Sequence, residues 1–137
     1  MSMRRLTALL LALLLLLLAG CVKPPPEEDY RLDVTVTYWN GWEQGYESPV
    51  EEHSFSLSDG SDIEIVSEWH TLSLTVKEVD ADGIIIKTSE PMALNEGGGI
   101  NLGTDQTRFD IKADQPITLT TPWTDMGVNY SFQLVVE

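Results

Sequence analysis

The chain of 137 residues is long enough for one ordinary domain and too short for two. Its eight basic residues stand against 22 acidic ones, a formal charge of −14 that excludes nucleic acid as a partner, because a phosphate backbone is bound by clustered lysine and arginine. A single cysteine excludes an internal disulfide and a zinc thiolate site, so packing alone must stabilise the fold.

The first 20 residues have the three zones of an export signal. The cationic pair Arg4 and Arg5 precedes the apolar run Leu6–Leu18 and two small residues. A membrane span needs about 20 apolar residues, and this run is shorter. We predict that residues 1–20 form a signal peptide that is removed, which leaves six basic residues against 22 acidic ones and a formal charge of −16.

The leader ends in the tetrapeptide Leu18-Ala19-Gly20-Cys21, which contains the only cysteine. It resembles the lipobox of bacterial lipoproteins, in which the chain is cut before the cysteine and the thiol carries a diacylglycerol. The resemblance implies a mature chain that begins with a lipidated Cys21, anchored outside the bacterial cytoplasmic membrane, or at the outer membrane if the host has one. Val22 stands where Asp retains many enteric lipoproteins at the inner membrane. An ordinary cleaved signal peptide is the alternative.

Residues 21–29 form a predicted tether between this anchor and the domain. The run Pro24–Pro26 favours an extended polyproline helix, and the acids Glu27–Asp29 stay solvated. At about 3.1 Å per residue, the tether holds the domain about 20 to 25 Å from the bilayer. Anionic headgroups repel so acidic a domain, so we expect the lipid, and not the protein surface, to contact the membrane.

From residue 30 onward apolar residues recur with period two, which is the pattern of strands with one dry and one wet face. They predict strands near residues 32–39, 54–58, 62–65, 71–77, 84–86, 108–112 and 130–137. We predict that residues 30–137 form a single antiparallel β-sandwich of about seven to nine short strands, with a small barrel as the alternative.

Local signals refine this prediction. The run Ile84–Ile86 is apolar on both faces, which places its strand centrally in a sheet. Residues 79–84 predict a hairpin in which Gly83 supplies a positive φ, and Asp59-Gly60 separates two further strands. Only Pro91–Glu96 could form a helical turn.

The segment Pro122–Tyr130 contains Asp125, Gly127 and Tyr130 before a row of alternating apolar residues. It resembles the Asp-x-Gly-x-Tyr corner that opens strand F of immunoglobulin-like domains, with one residue more than that motif. The resemblance favours an Ig-like sandwich and implies no activity.

The inventory of catalytic groups is thin. His70 is in phase with the apolar row of the following strand, which predicts a hydrogen-bonded structural residue. His53 follows Glu51 and Glu52, but adjacent strand residues point to opposite faces and do not readily share one metal ion. We therefore predict no catalytic residue, no transition metal and no cofactor.

Two chemical alternatives remain open. Asp80–Gly83 is similar to the start of a calcium loop but lacks its later ligands, so a calcium site would need distant carboxylates. Their candidates are Glu43, Glu47, Asp59, Asp62 and Glu64. A small glycosidase would need a cleft with two acids about 5 to 10 Å apart.

Aromatic residues are the best candidates for contact with a ligand or partner. The connection between the first two strands carries Trp39, Trp42 and Tyr46 in a polar, glycine-containing segment longer than most hairpin loops, and Trp123 is a fourth candidate. The rings either stack on a sugar or dock a partner, or they fold back and cap an open end of the sandwich. We predict a lipid-anchored binding module that contacts an envelope protein or a glycan. The oligomeric state is not predicted.

Overall fold

The computed structural model describes residues 30–57 and 61–136. Predictions for the leader, for Cys21, for the tether and for Asp59 concern residues outside these ranges. The described residues form strands and connections without an α-helix, so the all-β prediction is confirmed. Accordingly, no helix with the length and hydropathy of a membrane span occurs in these two ranges.

Nine strands build two antiparallel sheets that pack face to face. In chain order they are β1 (Tyr30–Asn40), β2 (Glu51–Ser56), β3 (Asp62–Val66), β4 (Thr71–Val79), β5 (Gly83–Thr88), β6 (Ala93–Leu94), β7 (Arg108–Lys112), β8 (Ile117–Thr120) and β9 (Met126–Val136). One sheet has the order β2-β1-β9-β8-β6 and the other the order β3-β4-β5-β7. The predicted sandwich is confirmed, and β5 lies centrally, as its apolar faces indicated.

The core lies between the sheets and follows from the period-two pattern. In β1 the side chains of Leu32, Val34 and Val36 are buried, while the residues between them are only partly so. The facing sheet contributes Ile65, Leu72, Ile84, Ile86 and Ile111. Each such side chain contributes about 1.5 to 3 kcal/mol when it is fully buried, which lets the domain fold without a disulfide.

β1 and β9 pair along their whole length, so the ends of these two strands define the two ends of the sandwich. Tyr30 lies at one end, where its hydroxyl donates to the carbonyl oxygen of Asp80 at 2.7 Å. Asn40 lies at the other end, which we call the far end. A strand of 11 residues spans about 35 Å, so the far end is that distance from the start of the domain.

Three connections meet at the far end: residues 41–50, 67–70 and 121–125. The amide of Gly41 donates to the carbonyl oxygen of Asp125 at 2.8 Å, which joins the first to the last. The amide of Glu68 donates to the hydroxyl of Tyr38 at 2.9 Å, which joins the two sheets. These contacts bring together loops that are distant in sequence.

The hairpin between β4 and β5 is confirmed, but the reason for its glycine is different from the predicted one. The Asp80 carboxylate accepts hydrogen bonds from the amides of Asp82 and Gly83 at 2.8 and 3.0 Å. Gly83 is not among the glycines with positive φ. A Cβ atom there would lie 2.2 Å from the carbonyl oxygen of Ile111, so the position requires glycine for close strand approach.

The predicted helical turn at Pro91–Glu96 is wrong. This segment contains β6, whose two residues pair with Thr120 and Leu119 of β8. Sequence analysis also did not predict β8, because four residues offer only two alternations and give a weak periodic signal. Both short strands form because a neighbouring strand supplies their hydrogen bonds.

The segment Pro122–Tyr130, which resembles an Ig-like corner in sequence, lacks the hydrogen bond that is typical of a tyrosine corner. In a tyrosine corner the hydroxyl bonds the backbone a few residues upstream. The hydroxyl of Tyr130 lies 2.6 Å from Nδ1 of His70, which precedes β4 of the opposite sheet. Tyr130 therefore connects the two sheets at the far end.

Candidate functional site: a groove with two tryptophans

A groove of about 550 Å³ lies on the outer face of the five-stranded sheet, near the far end. Its floor and walls come from β1, β8, β9, the glycine-rich segment 97–102 and the connection before β9. The side chains that define it are those of Trp39, Asn95, Ile100, Thr120, Trp123 and Asn129. Two of the four aromatic candidates, Trp39 and Trp123, are thus brought together in one site.

Trp39 faces outward because it alternates with the core residues of β1. Directly opposite on β9 stands Gly127. A Cβ atom on Gly127 would lie 2.5 Å from Nε1 of Trp39 and 2.7 Å from Cε2, so only glycine lets the indole rest on the neighbouring strand. The Nε1 atom is buried and has no hydrogen-bond partner in the described part of the chain. Packing on Gly127 therefore positions this ring.

A row of hydrogen bonds orders the polar floor of the groove. The Asn95 amide nitrogen donates to the Thr120 hydroxyl at 3.2 Å, and that hydroxyl donates to Oδ1 of Asn129 at 2.7 Å. Nδ2 of Asn129 then donates to the hydroxyl of Thr37 at 3.5 Å. A side-chain amide has two donor hydrogens and two acceptor lone pairs, and these bonds use half of them in Asn129. The remaining groups can bind a ligand hydroxyl without rearrangement of the floor.

The wall opposite the sheet is the segment after β6. The backbone N–H of Asn95 donates to the carbonyl oxygen of Thr118 at 2.9 Å. The side-chain Oδ1 of Asn95 accepts from the backbone N–H of Gly97 at 3.1 Å. Gly97 and Gly99 have φ angles of 94° and 99°, which turn the chain back over the sheet. This turn adds the apolar side chains of Ile100 and Leu102 to the groove.

Trp123 is half-buried, and its inner side rests on a polar cluster between the sheets. The rings of Trp123 and His70 meet edge to face, with centroids 5.5 Å apart. His70 contacts the Glu90 carboxylate through Nε2 and the Tyr130 hydroxyl through Nδ1. The two ring nitrogens of His70 therefore connect Glu90 to Tyr130. The predicted structural role of His70 is confirmed, and the ring also supports one wall of the groove.

Burial raises the pKa of Tyr130 to about 12, and the negative charges of Glu90 and Glu51 act in the same direction. Burial and a hydrogen bond to Glu51 also raise the pKa of Tyr38, whose hydroxyl donates to that carboxylate at 2.6 Å. Both hydroxyls are therefore neutral around pH 7. Tyr130 joins the two sheets through His70, and Tyr38 joins them by accepting the hydrogen bond of the Glu68 amide.

The other two aromatic candidates have different positions. Tyr46 folds back on Trp69, with ring centroids 6.0 Å apart, and Trp69 in turn contacts Tyr38 at 4.9 Å. Trp42 lies in the connection 41–50 and is 76% exposed. Tyr46 therefore folds back over the end of the sandwich, as one alternative predicted, whereas Trp42 is exposed, as the other predicted.

Of the five carboxylates proposed for calcium, Asp59 lies outside the described residues, and the other four are not brought together. Glu43 and Glu47 are exposed in the connection after β1, while Asp62 and Glu64 lie on the outer face of β3, where Asp62 accepts a hydrogen bond from Thr75. Across residues 30–57 and 61–136, no three His, Cys, Asp or Glu side chains form a group suited to a metal ion.

Sequence analysis missed the polar half of the groove. Thr120 and Asn129 hold polar positions in strands, a weak signal because many outward strand residues are polar. Asn95 could not be placed without β6. The glycine run 97–99 is the one signal that could have indicated this wall, because loops are common sites of binding.

The chain matches no protein-family model, no curated protein and no solved structure. The chemistry of the groove is therefore the basis on which function is inferred.

Proposed function

We propose that the protein is a non-enzymatic, lipid-anchored carbohydrate-binding module on the outside of a bacterial cell. The observation that carries the proposal is the groove in which Trp39 and Trp123 accompany an ordered row of amide and hydroxyl groups. A pyranose ring has an apolar face of C–H groups and a rim of hydroxyls. Indole rings match the face, and preordered amides match the rim.

The position of the groove supports a role outside the membrane. The domain starts at Tyr30, at the end opposite the groove. With the lipid proposed at Cys21, a tether of about 20 to 25 Å and β1 directed away from the bilayer, the groove would lie about 55 to 60 Å from the membrane. An anchored module of this shape presents its ligand site away from its own membrane.

An envelope protein is the second candidate partner, and exposed apolar side chains favour it. Trp42 is 76% exposed, and Val50 and Met126 are exposed near it at the far end. Large exposed rings at a loop tip are typical of protein contacts. This surface is separate from the groove, so the two candidates are distinguished by different variants.

The proposal is tested with the mature chain from residue 21, carrying Cys21→Ser so that it stays free of lipid. Glycan-array screening followed by calorimetry should identify a bound oligosaccharide, and Trp123→Ala should weaken its binding at least about tenfold, since a stacked ring contributes about 1.5 kcal/mol or more. Trp42→Ala is the matched control and should retain the affinity. The bound glycan should also be recovered uncut after incubation, as expected without catalysis.

Loss of glycan affinity in Trp42→Ala, with full affinity in Trp123→Ala, would contradict the proposal that the groove binds the glycan. Pull-down from envelope extract with the same three proteins tests the second candidate. Capture of one defined protein that depends on Trp42, together with no glycan binding, would replace the carbohydrate proposal with a protein-docking role.

A further inference from the structure

We infer that the ligand of this groove is an uncharged glycan, an inference that rests on the proposed function. Every residue that lines the groove is uncharged: aromatic, aliphatic, amide, hydroxyl or glycine. This is unusual for a chain with 22 acidic residues. Two other grooves of similar size, about 540 and 490 Å³, both contain charged residues, among them Arg31 and Asp33 in the first and Lys77 and Lys87 in the second.

A glycan acid would find no positive charge at this site. The basic residues within the described ranges are Arg31, Lys77, Lys87, Arg108 and Lys112. Arg31 lies at the start of β1 and binds Asp33 at 2.9 Å, and the other four are on the opposite sheet. A carboxylate, sulfate or phosphate bound beside Trp39 would therefore be desolvated without a counter-charge, which is unfavourable.

Nearby acids add repulsion. Glu96 and Asp125 are exposed and directly adjoin lining residues of the groove. Two like charges about 10 Å apart in water weaken binding about twofold at low salt. Two such acids acting on two uronate units form four pairs, which at about 10 Å and about 0.02 M salt weaken binding about fivefold. The desolvation of each uronate adds to this, so an acidic oligosaccharide is rejected relative to its neutral counterpart.

A bridging cation does not change this conclusion. Calcium-dependent sugar binding needs several convergent oxygen ligands, usually carboxylates, and the lining of this groove contains no carboxylate. Affinity should therefore be independent of divalent cations. The same lining predicts little dependence on salt, because an uncharged ligand displaces no counterions.

The test compares matched oligosaccharides on the mature chain with Cys21→Ser. Neutral hexamers of glucose, mannose, galactose and N-acetylglucosamine are titrated beside hexamers of galacturonate and mannuronate, at about 0.02 M and about 0.5 M NaCl. We expect at least one neutral hexamer to bind, with less than about twofold change in Kd on raising salt or adding EDTA. Both acidic hexamers should bind at least about fivefold more weakly at low salt.

A charge variant makes the test sharper. Thr124 lines the groove and is exposed, so Thr124→Lys adds a cation without removing a ring or a floor amide. This variant should bind the acidic hexamers at least about fourfold more tightly at low salt than the Thr124→Gln control does. Tighter binding of acidic than of neutral hexamers by the original protein would overturn the inference and leave the carbohydrate proposal standing. Failure of every glycan on the array and in these titrations would overturn the proposed function itself, and the inference with it.

Discussion

Alkaline pH should destabilise this domain through one buried hydroxyl, that of Tyr130. The side chain has no exposed surface, and burial raises its pKa from 10 to about 12. The pKa in the folded state is above the unfolded value, so the neutral hydroxyl stabilises the fold. That contribution is complete below about pH 10 and is lost as the pH rises through about 12.

The size of the effect follows from the shift. Two pKa units at 1.36 kcal/mol each correspond to about 3 kcal/mol, a large part of the total stability of about 5 to 15 kcal/mol for an ordinary domain. Tyr38, whose pKa burial also raises, adds to the loss in the same direction. We therefore expect the free energy of unfolding to fall by about 2 kcal/mol between about pH 10 and about pH 12, with the rest of the loss at still higher pH.

Urea unfolding followed by tryptophan fluorescence, repeated from about pH 8 to about pH 12, measures this loss. Tyr130→Phe removes the hydrogen bond to His70 and should cost about 1 to 3 kcal/mol near neutral pH. Its stability should then fall about 2 kcal/mol less than that of the original protein between about pH 8 and about pH 12. Tyr46→Phe keeps the Tyr130–His70 hydrogen bond and should keep the full loss. Equal alkaline losses in the original protein and in Tyr130→Phe would refute the reasoning.

Three further predictions concern the groove, the fold and the anchor. Gly127→Ala should displace Trp39, weaken glycan binding about tenfold or more in calorimetry, and lower the free energy of unfolding by about 1 to 3 kcal/mol. Gly98→Ala is the control: its Cβ meets no atom within 4 Å, so glycan affinity and stability should be unchanged. Gly83→Ala should lower the free energy of unfolding by about 3 kcal/mol or more, because its Cβ would overlap a carbonyl oxygen of β7; a variant as stable as the original would show that the two strands can move apart. Intact-mass analysis of protein from its native host should show a chain that starts at Cys21 and carries the mass of a diacylglycerol and any further acyl group; an unmodified cysteine or a retained leader would contradict the predicted anchor.

The class of fold follows from the order of the amino acids alone. The period-two rows of β1, β4 and β9 predict strands with one buried face, and a chain without helical periodicity after residue 30 has to bury those faces against one another. The hairpin before Gly83 and the central position of β5 were also readable, because each depends on a few neighbouring residues.

The pairing of the strands and the position of the site depend on long-range contacts, which the amino-acid pattern does not specify. β1 and β9 are the first and last strands in the sequence, yet they pair in the sheet. For this reason Asn129 forms a hydrogen bond with Thr37 across 92 positions of sequence, and Trp39 faces Gly127. The burial pattern specifies which side of a strand is dry but not which strand pairs with it. Trp42 and Tyr46, four residues apart, differ for the same reason: Trp69, from another connection, covers one ring and not the other. A binding site assembled from such long-range contacts therefore becomes visible only when the strands are in place.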